Sequence, residues 1–184
     1  AVKDGITVNL VYDGRAAKVM LNQDKVRQIE EYYAQCELEG ANEHQIEESQ
    51  KAVAKMEVII GDPDRLRAVA EDFIKHYETR VAEGATVAGK AMFVCSNRNI
   101  AYDFYKIVKE LRPKWTEKKI CDDGVVLSEK DKKELKPMEK IKLVMTRNKD
   151  DEKDLFDMLG TKEDRKEFDR QFKNPKSNFK IAIV

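Results

Sequence analysis

Two short polar runs carry groups that can hold an anion: Ser96–Asn97–Arg98 and Thr146–Arg147–Asn148. Each combines a hydroxyl, an amide and an arginine. The guanidinium fork matches phosphate oxygens, and hydroxyl and amide groups add single hydrogen bonds to the same anion. Both runs follow short apolar stretches, "KAMFVC" and "KIKLVM". If those stretches are parallel strands, the runs leave their carboxyl ends, which is where open α/β sheets take ligands. The chemistry open to these residues is the gripping of phosphates from one edge of a sheet. The plainer alternative is that they only cap the helices that follow.

The other reactive residue types offer less. His44 and His76 stand apart with no ligand partner at useful spacing, so a metal site is not expected, because zinc ligands cluster. Cys36, Cys95 and Cys121 are odd in number and form no CxxC pair. That pattern argues against structural disulfides and for a reducing cytosol. Cys95 sits in an apolar stretch and reads as a small hydrophobe rather than a nucleophile. Neither GxGxxG nor GxxxxGK[ST] occurs, so neither common phosphate-cradling loop is encoded. The glycines of "GDPD" and "EGATVAGK" read as a helix start and a surface turn. The carboxylates alternate with lysines, as on a solvated face.

The elements that must position the two polar runs follow from periodicity. "ITVNLVY" alternates Ile6, Val8, Leu10 and Tyr12 and predicts a half-exposed strand. Val26, Ile29, Tyr33 and Cys36 predict a helix, as do Ile46, Val53, Met56 and Ile60. Asp62 as N-cap and Pro63 at the first position start another helix, with a stripe of Leu66, Val69, Phe73, Tyr77 and Val81. "KAMFVCS" is apolar without alternation, as in a strand covered on both faces. Ile100, Phe104, Val108 and Leu111 then mark a helix stopped by Pro113. Residues 114–140 are polar and read as a long, mobile surface excursion. "KIKLVMT" is a second apolar strand, "DEKDLFDML" and "TKEDRKEFDRQF" are helices parted by Gly160, and "FKIAIV" is a third strand. Strands alternating with helices predict an α/β unit with a parallel sheet and right-handed crossovers.

Composition bounds the rest. The 184 residues carry 35 Lys+Arg against 35 Asp+Glu, so no global basic field points to nucleic acid, although a local basic face is compatible with balance. No apolar run approaches the roughly 20 residues of a membrane helix, so no membrane partner is expected. Ala1 opens directly on a strand-like segment and Val184 closes an apolar run. Both ends therefore read as interior to a longer polypeptide.

One resemblance covers nearly the whole chain. "KAMFVCSNRNIAYDFYKIVKELRP" resembles the stretch around motif IV in the second RecA-like domain of superfamily 2 helicases. More closely, it resembles the restriction (R, or HsdR) subunit of type I restriction-modification enzymes. "AVKDGITVNLVYDGR" resembles the segment by which that subunit leaves its first helicase domain. The run from "KLVMTRN" to "NFKIAIV" resembles the approach to motif V. The similarity is weakest over about 18–81 and 114–140. It implies a truncated three-layer RecA-like parallel sheet. Residues 1–18 would be a lead-in strand, 19–85 a helical segment or insertion, and 86–184 the second RecA-like domain, cut before motif V.

The resemblance also implies a function. Such subunits couple ATP hydrolysis to translocation of double-stranded DNA, cut DNA with a separate nuclease domain, and assemble with modification (M) and specificity (S) subunits in the cytoplasm. ATP and Mg2+ would be bound by the parent protein through motifs outside this chain, so the chain alone is expected to bind neither and to lack catalytic residues. Ser96, Asn97 and Arg98 match the motif IV loop. Arg165 and Phe172 match an "R…F" helix before motif V, Phe172 as packing and Arg165 as packing or DNA contact. Arg147 is a further DNA-contact candidate, by its place after a strand. The competing readings are a non-catalytic α/β binding or regulatory module and a structural spacer.

Overall fold

The computed structural model describes residues 60–84 and 87–184. The expected lead-in strand and most of the expected 19–85 helical segment lie outside the described residues.

The apolar runs form three short parallel strands of one sheet: β1 (Ala91–Phe93), β2 (Ile141–Leu143) and β3 (Ile181–Ile183). The order is β1-β3-β2, so the last strand in sequence is the central one. Ala91 and Ile141 both register with Ile181, and Phe93 and Leu143 with Ile183. The central position accounts for the composition of β3. All its residues are buried, and a strand covered on both faces has no use for alternation. β1 departs from that expectation. Among the described residues it is an edge strand, and Met92 and Val94 are 60% and 71% exposed on one of its faces.

Helices cover both faces of the sheet. On one side lie α1 (Pro63–Ala82), α2 (Arg98–Leu111) and α4 (Lys153–Leu159). Ala70, Ile74, Phe104, Val108, Leu155 and Leu159 pack there against Ile141, Leu143, Ile181 and Ile183. Phe93 stacks on Phe104 at 4.0 Å between centroids, and Phe73 meets both edge-on at 5.0 and 5.8 Å. Fully burying a ring, as at Phe104, contributes roughly 1.5–3 kcal/mol, and the partly buried Phe73 and Phe93 add less, so this ring cluster holds α1 and α2 to β1. On the other side α5 (Lys162–Lys173) sets Phe168 and Phe172 against Met138, Phe179 and Ala182. Phe172 is packing, as expected, with its ring 5.0 Å from that of Phe179.

α1 begins as its sequence predicts. Asp62 accepts a hydrogen bond from the Arg65 amide at 3.2 Å, with Pro63 in the first turn. Its buried stripe is rotated from the expected one. Leu66, Ala70, Ile74 and Tyr77 are buried, Val69 and Phe73 lie at the margin, and Val81 is exposed. Ala70 faces α2 with no exposure at all, and its small side chain permits that approach. The two helices are also tied at the surface by Arg112 to Glu78 (2.7 Å) and Arg67 to Glu110 (3.0 Å).

The polar excursion is docked, contrary to its reading as a mobile segment. Its start makes a 3₁₀ turn, Pro113–Thr116, that buries Trp115. Lys119 and Met138 then pair as an antiparallel bridge that closes the loop on itself. Between them lies the short helix α3 (Glu129–Glu134), started by a reciprocal cap of Ser128 and Asp131. Two buried amides, one in α5 and one just before β3, pin the end of the loop. Asn178 donates its side-chain N–H to Met138 O at 2.6 Å, and Gln171 donates to Glu134 O at 2.9 Å. A buried amide without partners is costly, so these bonds fix the end of the excursion although its own side chains are polar, and the Asn178 backbone N–H donates to Ile120 O at 3.1 Å nearer its start.

Candidate functional site

The carboxyl ends of β1 and β2 bring the two polar runs together across β3. Ser96 is exposed in the bend after β1. Asn97 is the N-cap of α2, its Oδ1 accepting from the Ile100 amide at 2.9 Å. The capping alternative therefore holds for this residue. Arg98, the first residue of α2, reaches across to the loop after β2. Its Nε donates to Asp151 Oδ1 at 3.1 Å, one terminal nitrogen reaches both Asp151 oxygens at 2.7 Å, and that same nitrogen reaches Thr146 O at 3.0 Å.

Asp151 is the residue that sequence reasoning missed. Its side chain is 5% exposed, against 31% for Arg98. It also accepts from the Asn148 amide, which closes a turn of the β2 loop. One carboxylate thus braces its own loop and holds the guanidinium of the other. No pattern in the sequence links Arg98 to Asp151; the link exists because parallel strands bring their carboxyl ends to one edge.

Arg147 lies on the same edge with a different environment. Its guanidinium stacks 4.3 Å over the ring of Phe156 in α4, and its Nε is buried with no hydrogen-bond partner. Stacking on an aromatic face is worth about 0.5–2 kcal/mol. Arg147 also adds positive charge near Asp164 at the start of α5. The Asp164 carboxyl is held below the usual carboxylate range, first by the Thr161 amide and hydroxyl and further by the charges of Arg147 and Lys142. Arg165 turns back instead and donates to Gly160 O at 3.2 Å, steadying the α4–α5 corner. It is half-buried and does not join the Arg98–Asp151 pair.

The edge therefore offers hydroxyl and amide groups at Ser96, Thr146 and Asn148, and two guanidinium groups, Arg98 braced by Asp151 and Thr146 O and Arg147 by the Phe156 ring. It contains no nucleophile and base pair. Cys95, just below it, has its thiol pushed up to about 11 by burial, as befits a packed side chain. Among the described residues no group of three His, Cys, Asp or Glu side chains is placed to hold a metal ion. No described helix is long and apolar enough to cross a membrane.

No family model matches the chain, and no solved structure matches it. Two curated proteins do. The chain is 30% identical over 184 residues to the type I restriction enzyme HindI endonuclease subunit of Haemophilus influenzae. It is 28% identical over 186 residues to the provisionally named type I restriction enzyme MjaIXP endonuclease subunit of Methanocaldococcus jannaschii. Each alignment takes in all of this chain and 15% of the relative, so the chain spans about one seventh of their length.

Proposed function

We propose that the chain is a segment of the endonuclease (R) subunit of a type I restriction enzyme, and that it forms part of the DNA track of that subunit's motor. The observation that carries this reading is the similarity of the entire chain to two endonuclease subunits of that class. The assigned architecture is most of the second RecA-like domain of a superfamily 2 helicase motor over 86–184, preceded by a lead-in at 1–18 and a helical segment at 19–85. A parallel sheet with helices on both faces is consistent with that assignment.

In this reading the carboxyl edge of the sheet meets the phosphates of double-stranded DNA. A translocase must hold DNA of any sequence, and phosphate contacts do so because they carry no base information. Ser96, Asn148 and the open side of Arg98 supply donors, and Arg147 adds a second charge. Asn97 contributes by fixing the first turn of α2, and Arg165 by fixing the corner before α5. The Arg98–Asp151 pair joins the two loops, so that a phosphate bound to one is held relative to the other. ATP and Mg2+ are needed by such a motor, but this chain encodes neither phosphate loop and its described residues include no metal cluster. The parent protein would work in the cytoplasm with modification and specificity subunits.

The test uses the full-length protein assembled with those subunits. DNA-stimulated ATP hydrolysis and cleavage of unmodified DNA are expected from the complex, and neither from the 184-residue chain alone. An assembly without DNA-dependent ATPase activity, or a purified chain with it, would overturn the proposal.

A further inference from the structure

A row of lysines stands at the opposite edge of the sheet. Lys90, Lys140 and Lys180 each precede a strand by one residue, and the residues that follow them, Ala91, Ile141 and Ile181, share one register. Neighbouring strands lie about 4.8 Å apart, so the row spans all three strands at their amino ends. Two of its side chains converge on one carboxylate from the docked excursion. Lys140 Nζ is 3.4 Å from Asp122 Oδ1, and Lys180 Nζ is 3.3 Å from Asp122 Oδ2. Lys90 lies in the field of both Lys180 and Asp122.

The charges do not balance. Two ammonium groups contact Asp122 and that of Lys90 lies within its field, and three further acids are engaged elsewhere: Glu78 with Arg112, Asp123 with Lys119, and Asp131 with Lys176. Glu78 also feels Lys140, at longer range. Tyr77 stays a neutral donor to Gly89 O at 2.8 Å, its hydroxyl pushed up by burial and then by Asp122. Lys90 donates one proton to Phe179 O, and Lys180 one to Pro175 O at 2.8 Å. An ammonium has three donors, so the row retains unused ones. The site is recessed yet open on one side, since the Lys180 side chain is 6% exposed while those of Lys140 and Asp122 are 26% and 37% exposed. Burial, and after it the charge of Lys180, lowers Lys90 to about 8, with Asp122 opposing the shift.

We propose that Lys90, Lys140 and Lys180 form a binding site for a dianionic phosphate group, free or terminal, with Asp122 occupying part of the site in its absence. The surplus of two positive charges favours a dianion over the single charge of a backbone phosphodiester. The recessed floor at Lys180 favours a compact group over a continuous strand.

The probe is pyrophosphate, added to the purified 184-residue chain at pH 7, with sodium chloride at equal ionic strength as control. Thermal unfolding should rise with pyrophosphate beyond the chloride control, as for any ligand of the folded state. Lys140→Gln should weaken the apparent affinity by about tenfold or more, the loss of one charge-assisted bond. Asp122→Asn should strengthen it, because it removes the competing carboxylate. That opposite sign separates binding from damage to the fold. Equal stabilisation by chloride, or an unchanged affinity in Lys140→Gln, would overturn the proposal. A blunt duplex without terminal phosphates should fail to displace pyrophosphate. If it competes, the site takes backbone phosphodiesters and the assignment to a dianion is wrong.

Discussion

Arg98 and Asp151 lie 53 residues apart in the chain and form a forked ion pair that joins the two loops at the carboxyl edge of the sheet. The pair is half-shielded: one partner is buried and the other reaches the surface. Its strength should therefore fall between that of an exposed pair and that of a buried one. In a double-mutant cycle of Arg98→Ala and Asp151→Ala, the expected coupling is about 1–3 kcal/mol. Asp151→Ala should also loosen the β2 loop, because it removes the acceptor of the Asn148 amide. Urea unfolding of the four proteins measures this. Strict additivity would mean the pair holds nothing.

The same pair separates two explanations of DNA binding in the full-length protein. If Arg98 touches a phosphate, Arg98→Ala should weaken binding about equally across sequences and lower the magnitude of the salt slope by roughly 0.9. Asp151→Ala keeps the arginine and should keep the slope. If Arg98 acts only by tying the loops, both variants should lose affinity alike with the slope unchanged. Affinity across a salt series distinguishes these results, and the second would remove Arg98 from the track.

The readability of this fold varied with the range of the interaction. The strands were visible as apolar runs, because a sheet covered on both faces leaves no polar positions in its central strand. The start of α1 was visible because a cap and a proline act within one turn. The rotated stripe of α1 was not. Ala70 scores as a weak hydrophobe, and only the approach of α2 makes a small residue the right one there. The docking of the excursion was also hidden, since Asn178 and Gln171 look like surface amides until their carbonyl partners are known. At the candidate site Ser96, Asn97, Arg98 and Arg147 stand out in the sequence, whereas Asp151 is one acid in a run of charges. Only the strand order gives it a partner.

Gly160 gives a local test of the corner between α4 and α5. Its φ of 65° and ψ of 178° lie in a region that side chains avoid, and an added Cβ would sit 2.8 Å from Asp164 Cβ. Asp164 cannot yield easily, because it forms the reciprocal cap with Thr161. Gly160→Ala should therefore destabilise the chain by about 2 kcal/mol or more. The urea midpoint should fall with the m value unchanged. Little or no change in midpoint would mean that the corner can adopt another backbone path.

Glu167 gives the corresponding test in pH. It accepts hydrogen bonds from Arg170, Gln171 and Lys136, and so ties α5 to the end of the excursion. Its carboxyl is lowered to about 2, first by Arg170, with Gln171 and Lys136 adding to the effect. The folded state thus binds a proton here less readily than the unfolded chain. Stability from Glu167 is then fully present above the ordinary value of about 4.5 and is lost as the pH falls towards 2. Glu167→Gln removes the titrating group while keeping its size. The wild-type chain should be more stable than the variant by roughly 1 kcal/mol near neutrality, a modest figure because its charged partners, Arg170 and Lys136, are exposed to solvent. The difference should shrink between about pH 4.5 and pH 2. Urea unfolding of both proteins across that window measures it. A difference that stays constant with pH would assign the role of Glu167 to packing rather than charge.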